Sequence, residues 1–278
     1  MSDPQTDSSR GPRRPGLIHT FLALPNDSTV KTLLVALLLC LVCSVLVSTA
    51  AVSLKPLQVA NQALDKKKNI LEVTKLMKEG TSIDELFKAF EPKVVDLETG
   101  EYVTSVDPDQ FDQRKAAKDP QHNVQIPADR DIAQIRQRAK YAKVYLYTEG
   151  ENVKYFILPI HGYGLWSTLY GFLVLEGDAN SVFGLQFYEH LETAGLGGEV
   201  DNPLWRSKWE GKLIYDETGN PKIEVVKGAV LPNDPGAKFR VDGLAGATLT
   251  ANGVTNMLRY WMGEDGFAKY LQQFHTKA

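Results

Sequence analysis

The sequence predicts an α+β protein, in which a single N-terminal transmembrane helix precedes a mostly antiparallel α+β domain. Three observations predict it. An apolar run without a charge lies near the N-terminus. From residue 141 the chain turns to strand-like segments joined by short polar turns, a pattern that pairs as hairpins. After residue 248 a stretch with Val254, Leu258 and Trp261 on one stripe reads as an amphipathic helix. Such a helix covers one face of a sheet.

Residues 1–30 carry Pro, Gly, Ser and Arg with little periodicity and are read as a mobile tail. The run TLLVALLLCLVCSVLVSTAAVSL, Thr32 to Leu54, is 23 residues long and is bracketed by Lys31 and Lys55. At ~1.5 Å per residue it spans a bilayer core of about 30 Å. We assign residues 31–54 to the transmembrane helix and 55–278 to the domain that follows it, whose side of the membrane the span does not fix. A cleaved signal peptide is the weaker reading, because its apolar core is about 7–15 residues and here about thirty residues come first. Flanking charge does not orient the span: Arg13, Arg14 and Lys31 stand before it, and Lys55, Lys66, Lys67 and Lys68 after it. With no acid or base between Thr32 and Leu54, the anchor itself offers no ion path. Cys40 and Cys43 spell C-x-x-C inside this run and are read as small residues on one face of a buried helix.

Past the anchor, LEVTKLMKE (71–79) has helical spacing, and Ser82 with Glu85 opens TSIDELFKAF as a capping box. Residues 91–130 read as irregular, and DIAQIRQRAK (131–140) as a weak helix. YAKVYLYTE and VKYFILPI form the first expected hairpin; LYGFLVL and VFGLQFYEH form the second. PKIEVVKGAV (221–230) is a further expected strand.

A formal charge of −3 gives no electrostatic case for nucleic acid, so none is expected as a partner. The histidines and cysteines show no metal spacing, and no metal is expected. Neither G-x-G-x-x-G before a crossover helix nor G-x-x-x-x-G-K-[ST] occurs, so the chain has no dinucleotide or ATP site of those kinds. No catalytic nucleophile with a base is indicated; Glu192 stands as a lone candidate base. Trp205, Trp209 and Tyr163 are read as packing. Three glycine stretches interrupt the strands: HGYGLW (161–166), HLETAGLGG (190–198) and VDGLAGATLT (241–250). Each makes a turn, and each also lets backbone approach a bulky ligand. In the third, Thr248 or Thr250 is placed to cap the following helix. The same helix start, with its free N–H groups, is equally a phosphate site, and a threonine hydroxyl there can itself be esterified.

DGLAGAT followed by LTANGV resembles the flavinylation motif of the covalent FMN-binding domain family, the matching positions being Asp242, Gly246, Ala247 and Thr248. GYGLW, ETAGLGGEVDNPLW, KWEGKLIYD and VVKGAV are similar to other stretches of that family. From about residue 30 the chain resembles the C-subunit family of sodium-translocating NADH:quinone oxidoreductases. The resemblance implies FMN esterified to Thr248 by a separate flavin transferase, within an FMN-binding region of about 140–262. Ring contacts would come from Gly162, Tyr163, Trp166, Glu192, Thr193, Gly195 and Leu196, with Lys227 near the negative charge of the reduced flavin. It implies a periplasmic domain on a bacterial inner membrane. There the chain would relay electrons from an NADH-oxidising subunit to an FMN-bearing membrane subunit, in a complex that exports sodium. Two departures stand out: Ala245 where the family often has Ser, and Ala194 where it usually has Pro, which leaves that loop less restrained. Two other readings stay open. One is the related G-subunit family of ferredoxin:NAD oxidoreductases. The other is a cofactor-free anchored binding or assembly protein in which Thr248 only caps a helix.

Overall fold

The computed structural model describes Pro25 and residues 28–275. The expected tail, residues 1–30, lies outside the described residues apart from Pro25 and 28–30. The chain divides into two units, Met1–Asn61 and Gln62–Ala278. The described part of the first unit is helix, the start of α1 (Thr29–Val73). Its most apolar window has a mean hydropathy of 2.8 and is unburied. By length and composition it can cross a membrane. Cys40 and Cys43 stand free on it and, like the rest of this stretch, are covered by no described protein element.

Within the second unit the last turn of α1 is buried through Ile70, Leu71 and Val73. The separate helix expected at 71–79 is therefore the end of α1, and Lys75 in the left-handed region (φ 57°) breaks it. Helix α2 (Ile83–Phe87) begins as expected, the Ser82 hydroxyl accepting the Glu85 N–H. The reading of 91–130 as irregular is corrected in part. It holds most of strand β1 (Phe90–Asp96), helix α3 (Gln113–Lys118) and strand β2 (Asn123–Gln125). The helix expected at 131–140 is absent. Asp131 accepts the N–H groups of Ile135 and Arg136, Gln134 and Arg136 have positive φ, and strand β3 (Gln137–Ala139) pairs with β2 instead.

The main sheet has the order β1-β4-β5-β6-β7, all neighbours antiparallel. The two expected hairpins are its centre: β4 (Tyr141–Glu149) with β5 (Asn152–Tyr163), and β6 (Thr168–Glu176) with β7 (Val182–Glu189). Alternation assigns the two faces. Phe156, Leu158 and Ile160 of β5 enter the larger core, while Tyr155 and Ile157 enter a smaller one with Ile70, Leu71 and Val73. Past β7 stands the short helix α4 (Pro203–Arg206). Strand β8 is shorter than expected, Glu224–Val225 alone, and pairs in parallel with β9 (Arg240–Val241).

Helix α5 (Thr248–Trp261) lies on the larger core as the expected stripe requires, with Val254, Leu258 and Trp261 fully buried. It sits close against the end of β5. A Cβ at Gly162 would come within 2.7 Å of Met257 Cβ, and one at Gly253 within 3.0 Å of Gly164 Cα. The Trp261 indole N–H donates to His161 O at 2.6 Å, pinning the helix end to the same strand. The C-terminal helix α6 (Ala268–His275) adds Tyr270 and Leu271 to this core.

Candidate functional site

Helix α5 starts without a side-chain cap. Its N-cap is Ala247 (φ −129°, ψ 47°), which has no side-chain oxygen to offer. The cap expected from Thr248 or Thr250 is not formed, because these residues lie one and three places inside the helix. Ala251 is the first residue whose N–H closes a helical bond, to Ala247 O at 3.0 Å. The earlier amides of the turn have no intrahelical acceptor, which is the general state of first-turn donors. Gly246 has a φ of 69° and brings the chain round into this turn, its missing side chain lying against Leu196 Cδ2.

The two threonines have opposite environments. Thr248 is exposed, while Thr250 is fully buried and its hydroxyl donates to Glu192 Oε2 at 2.7 Å. Glu192 Oε1 accepts the N–H groups of Leu165 and Trp166 at 3.0 Å and that of Ser167 at 3.4 Å. One carboxylate therefore joins all three glycine stretches. Space for it is made by glycines: a Cβ at Gly164 would stand 2.6 Å from Oε1, and one at Gly197 2.7 Å from Oε2. Burial pushes the carboxyl up, but the Thr250 hydroxyl and the three backbone donors outweigh it and hold the group below its ordinary range. With both oxygens engaged, Glu192 is a brace and not the free base the sequence allowed.

Flanking groups hold the same loop. His190 Nε2 pairs with Asp201 Oδ2 at 2.8 Å, which raises the imidazole's pKa against the effect of burial. In the neutral ring its Nδ1 accepts the Glu192 N–H at 3.2 Å. Leu191 N–H donates to Ser167 Oγ. Thr193 O accepts from both Leu196 and Gly198, closing the turn at Ala194 on itself. Asp242 is a brace as well. Its carboxylate accepts from Lys208 Nζ at 2.6 Å and from Val230 N–H at 2.8 Å. Its carbonyl accepts from the Trp205 indole at 2.8 Å. The Lys208 contact comes first in holding the Asp242 carboxyl below its usual range. Lys227 is exposed on the loop whose Gly228 O accepts the Gly243 N–H.

Trp205 and Trp209 are core residues as expected. Tyr163 corrects that reading: it is exposed, as are Trp166, Thr193, Gly195 and Leu196. These residues, Thr248 and the uncapped α5 turn thus gather on the surface around the buried Glu192. The sequence missed Thr250 as a bonded partner of Glu192 and Ser167 as a clasp. The signal present was only that each stands in or beside a glycine stretch.

The loops around Glu192 lie in a flavin-binding class of domain: residues 164–263 match the family model described as FMN-binding domain. The chain is similar to the C subunit of the Na(+)-translocating NADH-quinone reductase of Pseudomonas aeruginosa, 50% identical over 88% of this chain and 96% of that one. The corresponding protein of Yersinia pestis is 46% identical over 91% and 96%. The crystal structure of Shewanella oneidensis NqrC superposes with a TM-score of 0.69 at 32% identity, covering 76% of this chain and 96% of that one. The chain belongs to the C-subunit family of the Na(+)-translocating NADH-quinone reductases, and so to an oxidoreductase complex.

Proposed function

We propose that FMN is esterified through its phosphate to the Thr248 hydroxyl, and that the domain relays electrons between other redox subunits of the complex. The observation that carries this is the contrast at the start of α5: an exposed Thr248, unbonded among the described residues, on an uncapped turn, and a buried, bonded Thr250 two residues on. The helix start suits a phosphate, since free first-turn amides and the positive end of the helix dipole both favour an anion. In the esterification, the Thr248 Oγ–P bond forms and the hydroxyl proton leaves. The substituent that activates the phosphate in the flavin donor departs to the transferase's products. Gly246, by its left-handed turn, sets the hydroxyl outward, and Ala247 keeps the approach small. Tyr163, Trp166, Leu196, Thr193 and Gly195 offer the exposed surface on which a flat ring packs. Lys227 supplies positive charge from the neighbouring loop.

When bound, the flavin supplies reversible electron transfer that no side chain here provides. The protein holds it in place, and the ester keeps it from dissociating between turnovers. In this reading electrons arrive from an NADH-oxidising subunit and leave to an FMN-bearing membrane subunit. The domain stands on the periplasmic side of the inner membrane, anchored by α1. The test is mass spectrometry of tryptic peptide 241–259 from protein coexpressed with a flavin transferase. A mass increase corresponding to FMN, absent from Thr248→Val and present in Thr250→Val, is expected. An unmodified wild-type peptide sinks the assignment.

A further inference from the structure

We propose that Glu192 is a positioning residue that sets the electrostatics of the flavin site: its ionised carboxylate fixes one negative charge beneath the loops that receive the ring. The inference rests on the attachment of FMN at Thr248 proposed above. Among the described residues Glu192 is the buried acid; the other buried polar or charged residues are Thr74, Arg138, Gln186, Thr250 and Thr255. A buried carboxylate is expensive unless it is paired or fully hydrogen-bonded. Among the described residues no cation bonds to it. Its four donors are neutral: the Thr250 hydroxyl and the amides of Leu165, Trp166 and Ser167. It thus keeps its charge largely withdrawn from bulk water, where screening is weaker and charges act over longer distances. Gly164 and Gly197 admit it so closely that a side chain at either would displace it. Its partner Thr250 lies two residues from Thr248, and its three amide donors belong to the loop that carries the exposed Trp166.

A fixed negative charge opposes the arrival of an electron on a neighbouring ring, so it lowers the midpoint potential. Two substitutions move the potential in opposite directions. Glu192→Gln keeps the volume and removes the charge, and is expected to raise it. Thr250→Val, titrated at alkaline pH where the carboxylate stays ionised, removes one of the donors that screen the charge and is expected to lower the potential. The experiment is a spectroelectrochemical titration of the full chain, flavinylated in the cell, with attachment at Thr248 first verified by peptide mass. A wild-type chain unmodified at Thr248 defeats the underlying attachment, not this inference. If both variants are modified but their potentials match wild type, or shift in the same direction, Glu192 is only a structural brace and the inference is overturned. Should Glu192→Gln not fold, Thr250→Val decides alone: a lowered potential supports the inference and an unshifted or raised one overturns it.

Discussion

Replacing Thr248 and Thr250 singly by valine separates stability from attachment. Valine matches threonine in shape and removes the hydroxyl. At Thr250 that hydroxyl is fully buried and donates at 2.7 Å to a charged acceptor. A hydrogen bond to a charged group contributes about 1.5–3 kcal/mol. For a unit of the size of Gln62–Ala278, each kcal/mol moves Tm by about 2–4 °C. Thr250→Val should therefore melt about 3–12 °C below wild type. Thr248 is exposed and its hydroxyl is bonded to nothing among the described residues, so Thr248→Val should stay within about 0.5 kcal/mol. The assay is thermal unfolding by circular dichroism of full chains produced without a flavin transferase, so that attachment cannot confuse the comparison. Coexpression with the transferase should then reverse the ranking, if Thr248 is the attachment site proposed above: in-gel flavin fluorescence should survive in the less stable variant and disappear from the stable one. If Thr250→Val melts with wild type, the buried bond to Glu192 contributes nothing. If Thr248→Val melts below it, the two hydroxyls have been assigned the wrong roles.

Three further outcomes follow from the same loops. His190 is raised above its ordinary 6.5 by Asp201, so its contribution is complete below about pH 6.5 and is lost as pH rises through the raised value. The Tm gap between wild type and His190→Gln should be widest in acid and close at alkaline pH; a gap that widens with pH contradicts the pairing. Asp242 is shifted the other way, below 3.8, so its contribution holds above that value and is lost as pH falls through the lowered one. In urea unfolding at pH 7, Asp242→Asn should lower the unfolding free energy by about 1 kcal/mol, with the difference shrinking toward pH 3. Gly253→Ala sets a helix-propensity gain of up to about 1 kcal/mol against overpacking of about 1–3 kcal/mol. Because the obstacle is the Tyr163 and Gly164 backbone, the substitution should lower Tm; a raised Tm would show that β5 yields.

What the sequence revealed was local. Alternation in YAKVYLYTE and VKYFILPI needs only neighbouring residues to be read, and both hairpins formed where that pattern placed them. Strand β1 escaped because it is an edge strand carrying Pro92, and edge positions tolerate the residues that otherwise argue against a strand. DIAQIRQRAK misled because its apolar spacing is helical while Asp131 captures the amides that a helix would use. PKIEVVKGAV gave too long a strand, since pairing with β9 is available to two residues only. The site was legible as three glycine stretches in order. Their meeting at Glu192 was not, because its partners at Leu165 and Thr250 are 27 and 58 residues away. No local rule links such positions.

The bare N-terminus of α5 has a consequence for maturation. A helix opening on alanine forgoes the roughly 1 kcal/mol that a Ser, Thr, Asp or Asn cap contributes. On the proposed attachment, phosphate one residue inside it would face the same free amides that a cap serves, and the domain would then finish folding its last long helix with a group that it does not encode. On the attachment proposed above, the unflavinylated chain would be an incomplete protein rather than an empty one. Loading of the cofactor would be recorded in the rigidity of the α5 turn, so that an unloaded chain differs from a loaded one in shape and resistance to proteolysis before any electron reaches it.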